Sequence, residues 1–364
     1  MYGNTTLAVP INTPTFIMAG VQKSGTTALL TYFRDHPQIL QTKKGFTREL
    51  HFFDTKWNSI MKDAKSLGLV QAHEKNCYML SKYLSLFQTE AVLEHHQKYQ
   101  TNEEEKSTQL PQTQLFTFEK TPTYVANPMI AKRIRQVVPW SKVILILRNP
   151  VDRLYSAYKM TIKDVYDMRQ YGIEDMIQHE LMSMKYQFNM TTAPLLLGEE
   201  ENLDVYREGK NYSSAGTAPS LTEPPHVPYD HSINPNHWAP PHKALGKKSD
   251  YGPLGNHILV RRGFYAVQLQ WWLKEFTLGE NLLVINYRDM KRDTQGVYER
   301  ILHFCGIPLH ENPNTDKAVR ADERKDHRPL SNATRRYMEE FYAPYNAQLE
   351  RLLGKEWSIE NLGW

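Results

Sequence analysis

Cysteine is nearly absent: Cys77 and Cys305 are the only two among 364 residues, which excludes a disulfide framework and a cysteine-rich metal site of the usual spacing. Long apolar runs are missing too. No stretch has the length and apolarity of a membrane span, and residues 1–14 carry neither the basic start nor the apolar segment of a secretion signal. An excess of one charge is also lacking, with 44 Lys and Arg against 40 Asp and Glu. That mild balance does not argue for nucleic acid, and no DNA or RNA motif is present. What is there, 40% hydrophobic and 23% charged residues, can bury a full core in one large α/β domain or two small ones.

The most informative segment runs from Phe16 to Leu30. Phe16-Ile-Met-Ala-Gly20 has the pattern of a short buried strand, and Thr26 onward has that of a helix. A turn between them presents bare backbone N–H groups to an anion. Lys23, Ser24, Thr26 and Thr27, set around Gly20 and Gly25, add a cation and three hydroxyls. The Walker A arrangement is missing, because Lys23 precedes Gly25 instead of following it. A lysine at the earlier place projects toward the group attached to the phosphate, where a transferable group would sit. The same turn also serves in α/β proteins that bind no anion.

A second strand-to-helix junction follows. Lys142-Val-Ile-Leu-Ile-Leu147 is a continuous apolar run of the kind covered on both faces, and it leads into Arg148-Asn149-Pro150. Val151, Leu154, Tyr155 and Tyr158 then repeat at helical spacing, with Pro150 suited to a first turn. A metal-binding Asp is missing from this strand end, and an arginine stands in its place. Its planar fork suits a phosphate and cannot hold Mg²⁺. Ser156, about two helical turns on, could offer a hydroxyl to the same anion. Two phosphate sites on one sheet suggest a ligand phosphorylated at two places. Pairing of Arg148 with Asp152 is the competing role.

These residues resemble the sulfotransferases that use 3'-phosphoadenosine 5'-phosphosulfate (PAPS). Their 5'-phosphosulfate loop is similar to residues 20–27 and their 3'-phosphate motif to residues 148–158. Arg48-Glu-Leu-His-Phe-Phe-Asp54 and Glu119-Lys-Thr-Pro-Thr-Tyr124 resemble signatures of the Golgi branch that modifies glycosaminoglycans, above all the heparan sulfate glucosaminyl 3-O-sulfotransferases and N-sulfotransferases. The resemblance covers approximately residues 15–54, 117–162 and 258–306.

The resemblance implies Glu49 as general base on the acceptor, and Lys23 with Lys120 as the cations that stabilise the leaving bridging oxygen. It implies Lys23, Ser24, Gly25, Thr26 and Thr27 around the 5'-phosphosulfate, and Arg148 with Ser156 on the 3'-phosphate. Arg48, His51 and Asp54 fall to the acceptor side. On an extended segment His51 would share a face with Glu49 and could hold it or act with it. Relatives close a basic Lys-Gly-Arg turn over the nucleotide. Here Arg324-Lys-Asp-His-Arg-Pro329 has no glycine and a changed order, with Lys325 and Arg328 as its phosphate contacts. The 3-O-sulfotransferases often carry a C-terminal disulfide that this chain lacks, and Cys305 in His-Phe-Cys-Gly reads as a small buried apolar residue.

Strand and helix patterns alternate along the chain. Helices are expected over Thr26–Arg34, Pro128–Val138 and Gly263–Phe276, and strands over Leu115–Glu119, Lys142–Leu147 and Asn281–Tyr287. Residues 332–354 read as two helical pieces broken before Pro344. The fold class is α/β, a central parallel sheet flanked by helices with a P-loop-like nucleotide site at the carboxyl ends of its strands. A single domain over 1–364 is expected, with insertions at 55–114 and 187–257 that carry acceptor specificity. The first includes a solvated charge run at 103–106; the second holds His226, His231, His237 and His242, whose spacing among prolines lacks metal-ligand geometry.

The expected activity is metal-independent sulfuryl transfer from PAPS to a carbohydrate hydroxyl or amine, with no nucleic-acid partner. The rivals are a P-loop small-molecule kinase and a catalytically silent carbohydrate-binding protein. Four Asn-x-Ser/Thr sequons, at Asn4, Asn189, Asn211 and Asn332, permit glycosylation. Golgi relatives have an N-terminal anchor, so the chain is expected to be a trimmed lumenal Golgi domain or else a soluble cytoplasmic enzyme.

Overall fold

Among the described residues five short strands set the frame: β1 (Phe16–Gly20), β2 (Ile39–Leu40), β3 (Phe116–Lys120), β4 (Lys142–Leu147) and β5 (Leu282–Asn286). A computed structural model describes residues 13–45, 47–100, 114–165, 168–169, 171–188, 258–311 and 330–364. Between and after the strands lie α1 (Thr26–Asp35), α2 (Trp57–Ser66), α3 (Ala72–Leu84), α4 (Thr89–Gln100), α5 (Pro128–Val137), α6 (Pro150–Asp164) and α7 (Ile173–Phe188). They are followed by α8 (Tyr265–Leu273), α9 (Tyr287–Arg292), α10 (Thr294–Cys305), α11 (Asn332–Leu353) and α12 (Ile359–Leu362). The strands pair in parallel in the order β2-β3-β1-β4-β5. The first strand, β1, lies in the middle of the sheet; β2 and β3 build to one side of it, and β4 and β5 to the other. That reversal opens a crevice at the carboxyl ends of β3, β1 and β4.

Parallel strands covered on both faces need apolar residues at successive positions, and β1 and β3 are buried throughout. One face of the sheet packs Ile17, Val143 and Leu145 against Ile130 and Ile134 of α5 and Leu269 and Trp272 of α8. The other packs Phe16, Met18 and Phe118 against Leu29 and Phe33 of α1 and Ile301 of α10. Phe16 stacks on Phe118 with ring centroids 4.9 Å apart. Burying each such side chain contributes about 1.5–3 kcal/mol. A third cluster joins α6, α7 and α11 through Leu154, Ile177, Phe341 and Tyr342. Cys305 is buried at the end of α10, as its surroundings in sequence suggest.

Two expectations are corrected. Residues 332–353 form one helix with Pro344 inside it. Proline removes a helical hydrogen bond, but Phe341, Tyr342, Tyr345, Asn346 and Leu349 are buried on both sides of it, so packing outweighs local propensity. The segment after Glu49 is not extended either: His51 has φ 51 and Phe52–Lys56 form a π-helical turn. Buried Phe52 and Phe53 drive the turn inward, where their rings meet Tyr83 of α3 at 4.7 and 4.8 Å. The polar stretch after residue 55 thus sends α3 into the core through Met79 and Tyr83. The four histidines between 226 and 242, the charge run at 103–106, and Asn4, Asn189 and Asn211 lie outside the described residues. Asn332 is exposed at the first position of α11.

Candidate active site

The loop after β1 is held by groups from both sides. Val21 N–H donates to Ile146 C=O at 3.1 Å, and Arg148 Nη1 donates to the Lys23 carbonyl at 3.0 Å. Arg262 donates to Gln22 Oε1. Lys23 and Gly25 take positive φ values of 74 and 81, a conformation glycine accepts without steric cost. At Gly25 a Cβ would meet Met290 Cε at 2.4 Å and Tyr287 Cε2 at 2.7 Å, so any side chain there would have to displace both. Gly25 caps α1 with no side-chain hydrogen bond, and the first turn holds no acidic residue. Its free N–H groups and dipole therefore favour an anion. Ser24 is buried with its Oγ unpartnered, an orphaned donor of the kind a phosphate oxygen would satisfy. Thr26 is buried and Thr27 exposed.

Lys23 is half-buried, and burial, followed by the neighbouring Arg148 charge, lowers its pKa from the ordinary lysine value. Its charged neighbours lie on Arg148 and α6, at Lys159, Lys163 and Asp164. Arg148 leaves the end of β4 with its guanidinium 5.0 Å over the Tyr287 ring, while its own carbonyl accepts from Tyr265 Oη at 2.8 Å. It does not take Asp152, which pairs with Arg335 at 2.8 Å. Asn149 caps α6 by accepting from Val151 and Asp152 N–H, with Pro150 at the first turn. Ser156 lies partly exposed on that helix.

A second cluster forms at the end of β3. Lys120 Nζ lies 3.0 Å from Glu49 Oε1, His51 Nε2 lies 3.3 Å from Glu49 Oε2, and His51 Nδ1 lies 2.9 Å from Asp54 Oδ2. Asp54 and Lys120 are buried, while Glu49 and His51 are partly exposed. Burial alone would raise the Glu49 carboxyl, but hydrogen bonds from His51 and Lys120 and the Lys120 charge outweigh it and set the pKa below the ordinary value. His51 is pushed up to about 9, chiefly by its hydrogen bonds to Asp54 and Glu49. The result is an ionised carboxylate between two cations at neutral pH.

The backbone under this cluster is fixed by residues that sequence reasoning gave no role. Thr121 Oγ1 accepts from Leu50 N–H at 3.2 Å and His51 N–H at 3.5 Å. Tyr124 Oη accepts from Phe52 and Phe53 N–H at 2.8 and 3.2 Å. Lys56 donates to the Leu50 carbonyl, and Arg133 to the Phe53 carbonyl at 2.6 Å. Thr121 and Tyr124 belong to the same motif as Lys120, so one strand end supplies both the cation and the seat of the carboxylate.

Glu49, His51, Asp54 and Lys120 are thus joined in one network, and Lys23 is joined to Arg148. No hydrogen bond or ion pair links Lys23 to Glu49 or Lys120 among the described residues, although the family resemblance gives both lysines one task at the leaving oxygen. Arg48 is exposed. Lys325 and Arg328 lie outside the described residues. Arg262, missed from sequence, is half-buried, and burial lowers its pKa to about 10. The pair Arg261-Arg262 before Gly263, where the chain enters α8, was the available signal.

A sequence model of the sulfotransferase family matches residues 14–206, more than half of the chain. The chain belongs to the sulfotransferase family. A second model, of the sulfotransferase domain, matches residues 237–342. Among curated proteins this sulfotransferase is 22% identical to the bifunctional heparan sulfate N-deacetylase/N-sulfotransferase 4 of Mus musculus, over 93% of this chain and 30% of that one. It is 22% identical to a membrane-associated sulfotransferase of Dictyostelium discoideum, over 96% of this chain and 67% of the other. It is 21% identical to heparan sulfate glucosamine 3-O-sulfotransferase 6 of Homo sapiens, over 96% and 73%. The chain therefore spans less than a third of the mouse relative's length. Its fold is similar to that of a crystallised sulfotransferase from Alicyclobacillus acidocaldarius, with a TM-score of 0.50 and 20% identity over 93% of this chain and 95% of that one. No helix among the described residues is long and apolar enough to cross a membrane.

Proposed function

We propose that this sulfotransferase moves the sulfuryl group of PAPS to a hydroxyl or amine of a glycosaminoglycan-like carbohydrate by in-line displacement at sulfur. The observation that carries this reading is the meeting of three strand ends on one edge of the sheet: an uncapped helix start after β1, a lysine–carboxylate pair at β3 and an arginine at β4. The donor, when bound, supplies an activated sulfuryl group and leaves as adenosine 3',5'-bisphosphate with new negative charge on its bridging oxygen.

Each residue has a task in this scheme. Ser24, Thr26, Thr27 and the backbone around Gly25 receive the 5'-phosphosulfate, with Ser24 Oγ finding the partner it lacks among the described residues. Arg148 and Ser156 hold the 3'-phosphate. Lys120 and Lys23 offset the charge on the departing oxygen, a role whose loss typically costs about 10²- to 10³-fold. Glu49 takes the acceptor's proton as its oxygen or nitrogen bonds to sulfur. Asp54 holds His51, and His51 orients Glu49. Lys325 and Arg328 are assigned to the nucleotide by family resemblance. The heparan sulfate relatives and the cations Arg48, His51 and Lys120 around the base favour an anionic polysaccharide, and the Golgi lumen is the compartment this reading implies. The chemistry assigned to these residues needs no metal.

Calorimetry with adenosine 3',5'-bisphosphate and with ATP, followed by a labelled-sulfate acceptor screen, tests the reading. The bisphosphate should bind far more tightly than ATP, and label should pass from PAPS to heparan-type polysaccharide with or without EDTA. A preference for ATP with metal-dependent turnover would replace the proposal with phosphoryl transfer. Nucleotide binding without transfer to any acceptor would replace it with a silent binding protein.

A further inference from the structure

We infer that Tyr83 and Glu119 are positioning residues of the transfer reaction, forming with Thr121 a buried relay that fixes Glu49 against Lys120. The inference rests on the reading of Glu49 as the base.

Glu119 lies on β3 directly before Lys120 and is 1% exposed. A carboxyl group in that position is costly to bury, and such groups are normally paired with a cation. Here no ion pair to Glu119 exists among the described residues, and its hydrogen-bond partners are two hydroxyls. Tyr83 Oη donates to Oε1 at 2.6 Å, and Thr121 Oγ1 donates to Oε2 at 3.4 Å. An apolar side chain would fill the site more cheaply, so the arrangement calls for a reason beyond packing.

The geometry of Thr121 supplies one. A hydroxyl has a single proton and two lone pairs. Because Glu119 takes the proton, the lone pairs of Thr121 Oγ1 are left for the N–H groups of Leu50 and His51. Leu50 N belongs to the peptide that leaves Glu49, and His51 is the side chain bonded to Glu49 Oε2. Orientation therefore passes from Tyr83 through Glu119 and Thr121 to both residues of the acid–base pair. Tyr83 comes from α3, and its ring lies against Phe52, Phe53 and Phe87 at 4.7, 4.8 and 5.2 Å, directly behind the turn that follows the base. In this way α3, from the polar stretch after β2, takes part in turnover without touching substrate.

The test uses Tyr83→Phe, Thr121→Val and the double variant, each measured for melting temperature, adenosine 3',5'-bisphosphate affinity and labelled-sulfate turnover. Each single change should lower kcat about tenfold, the size of one lost buried hydrogen bond, while nucleotide affinity stays within about twofold. The double variant should be no slower than the slower single one, because both act through Glu119. Thr121→Ser, which keeps the hydroxyl, should restore kcat, and it supplies the readout if Thr121→Val does not fold. Unchanged kcat in either single variant, losses that multiply, a parallel fall in nucleotide affinity, or a Thr121→Ser variant that stays slow would each overturn the relay. If the wild-type chain binds nucleotide but transfers no sulfate, the assignment of the base falls with it; if the wild type turns over and the variants match it, the relay alone falls.

Discussion

Lys120 Nζ sits 3.0 Å from Glu49 Oε1, so the cation assigned to the leaving oxygen also keeps the base ionised. The arrangement is a compromise. A base held below its ordinary pKa is ready at neutral pH but weaker as a proton acceptor. In the proposed mechanism, protonation of Glu49 by the acceptor would free the Lys120 ammonium to attend the charge growing on the opposite side of sulfur.

Glu49→Gln keeps the shape of this pair and removes the base. Turnover should fall about 10²- to 10⁴-fold with adenosine 3',5'-bisphosphate affinity unchanged by calorimetry. Near-normal turnover would take Glu49 out of the chemistry.

His51→Gln should move the acidic limb of the kcat–pH profile upward. The His51 hydrogen bond does most to lower the Glu49 pKa against the opposing effect of burial. With it gone, protonation of Glu49 begins at higher pH. A pH–rate series on both proteins decides the matter, and superimposable acidic limbs would contradict the coupling.

Arg148→Ala should weaken adenosine 3',5'-bisphosphate about tenfold to hundredfold, the scale of a lost charge-assisted contact, and AMP far less. Because Arg148 also braces the Lys23 carbonyl, some loss for AMP is expected. Equal losses for the two nucleotides would move the 3'-phosphate elsewhere.

Glu119 and His51 set a dependence of stability on pH. Burial raises Glu119 from 4.5 to about 7, so its contribution is complete below pH 4.5 and is lost as pH rises through 7. His51 is raised from 6.5 to about 9, so its contribution is complete below pH 6.5 and is lost as pH rises through 9. Urea midpoints should therefore fall between about pH 5 and about pH 7 in the wild type, and Glu119→Gln should flatten that slope while leaving the alkaline one. A Glu119→Gln variant with the wild-type slope would refute the assignment.

Gly25→Ala should destabilise the fold by about 1–3 kcal/mol and lower nucleotide affinity. The new methyl would have to displace Met290 and Tyr287 and would also sit at φ 81. Thermal melting and calorimetry together check it, and a variant with wild-type values in both would show that the loop has slack.

Much of this was legible in the residues. β4 spans the apolar run Lys142–Leu147, and α1 and α5 begin where Thr26 and Pro128 mark them, because unbroken apolar runs and proline or glycine boundaries are local signals. The turn at His51–Lys56 was not legible, since it is set by Phe52 and Phe53 reaching Tyr83 across the fold. Pro344 misled for the same reason: its effect on a helix depends on burial of its neighbours, which the local pattern does not contain. Thr121 and Tyr124 accept from backbone groups about 70 residues away in the chain, and Tyr83 donates to the Glu119 carboxyl; no spacing rule connects residue 83 to residue 119 or residue 121 to residue 50.

The brace on Gln22 and Lys23, with Met290 and Tyr287 wedged against Gly25, means that the protein casts the anion's mould during folding. A visiting nucleotide has little loop entropy to quench. On the proposed function, selection between donors then falls to the ligand's own shape and charge, and a nucleotide mimic already stiff in the bound shape should bind more tightly than a supple one.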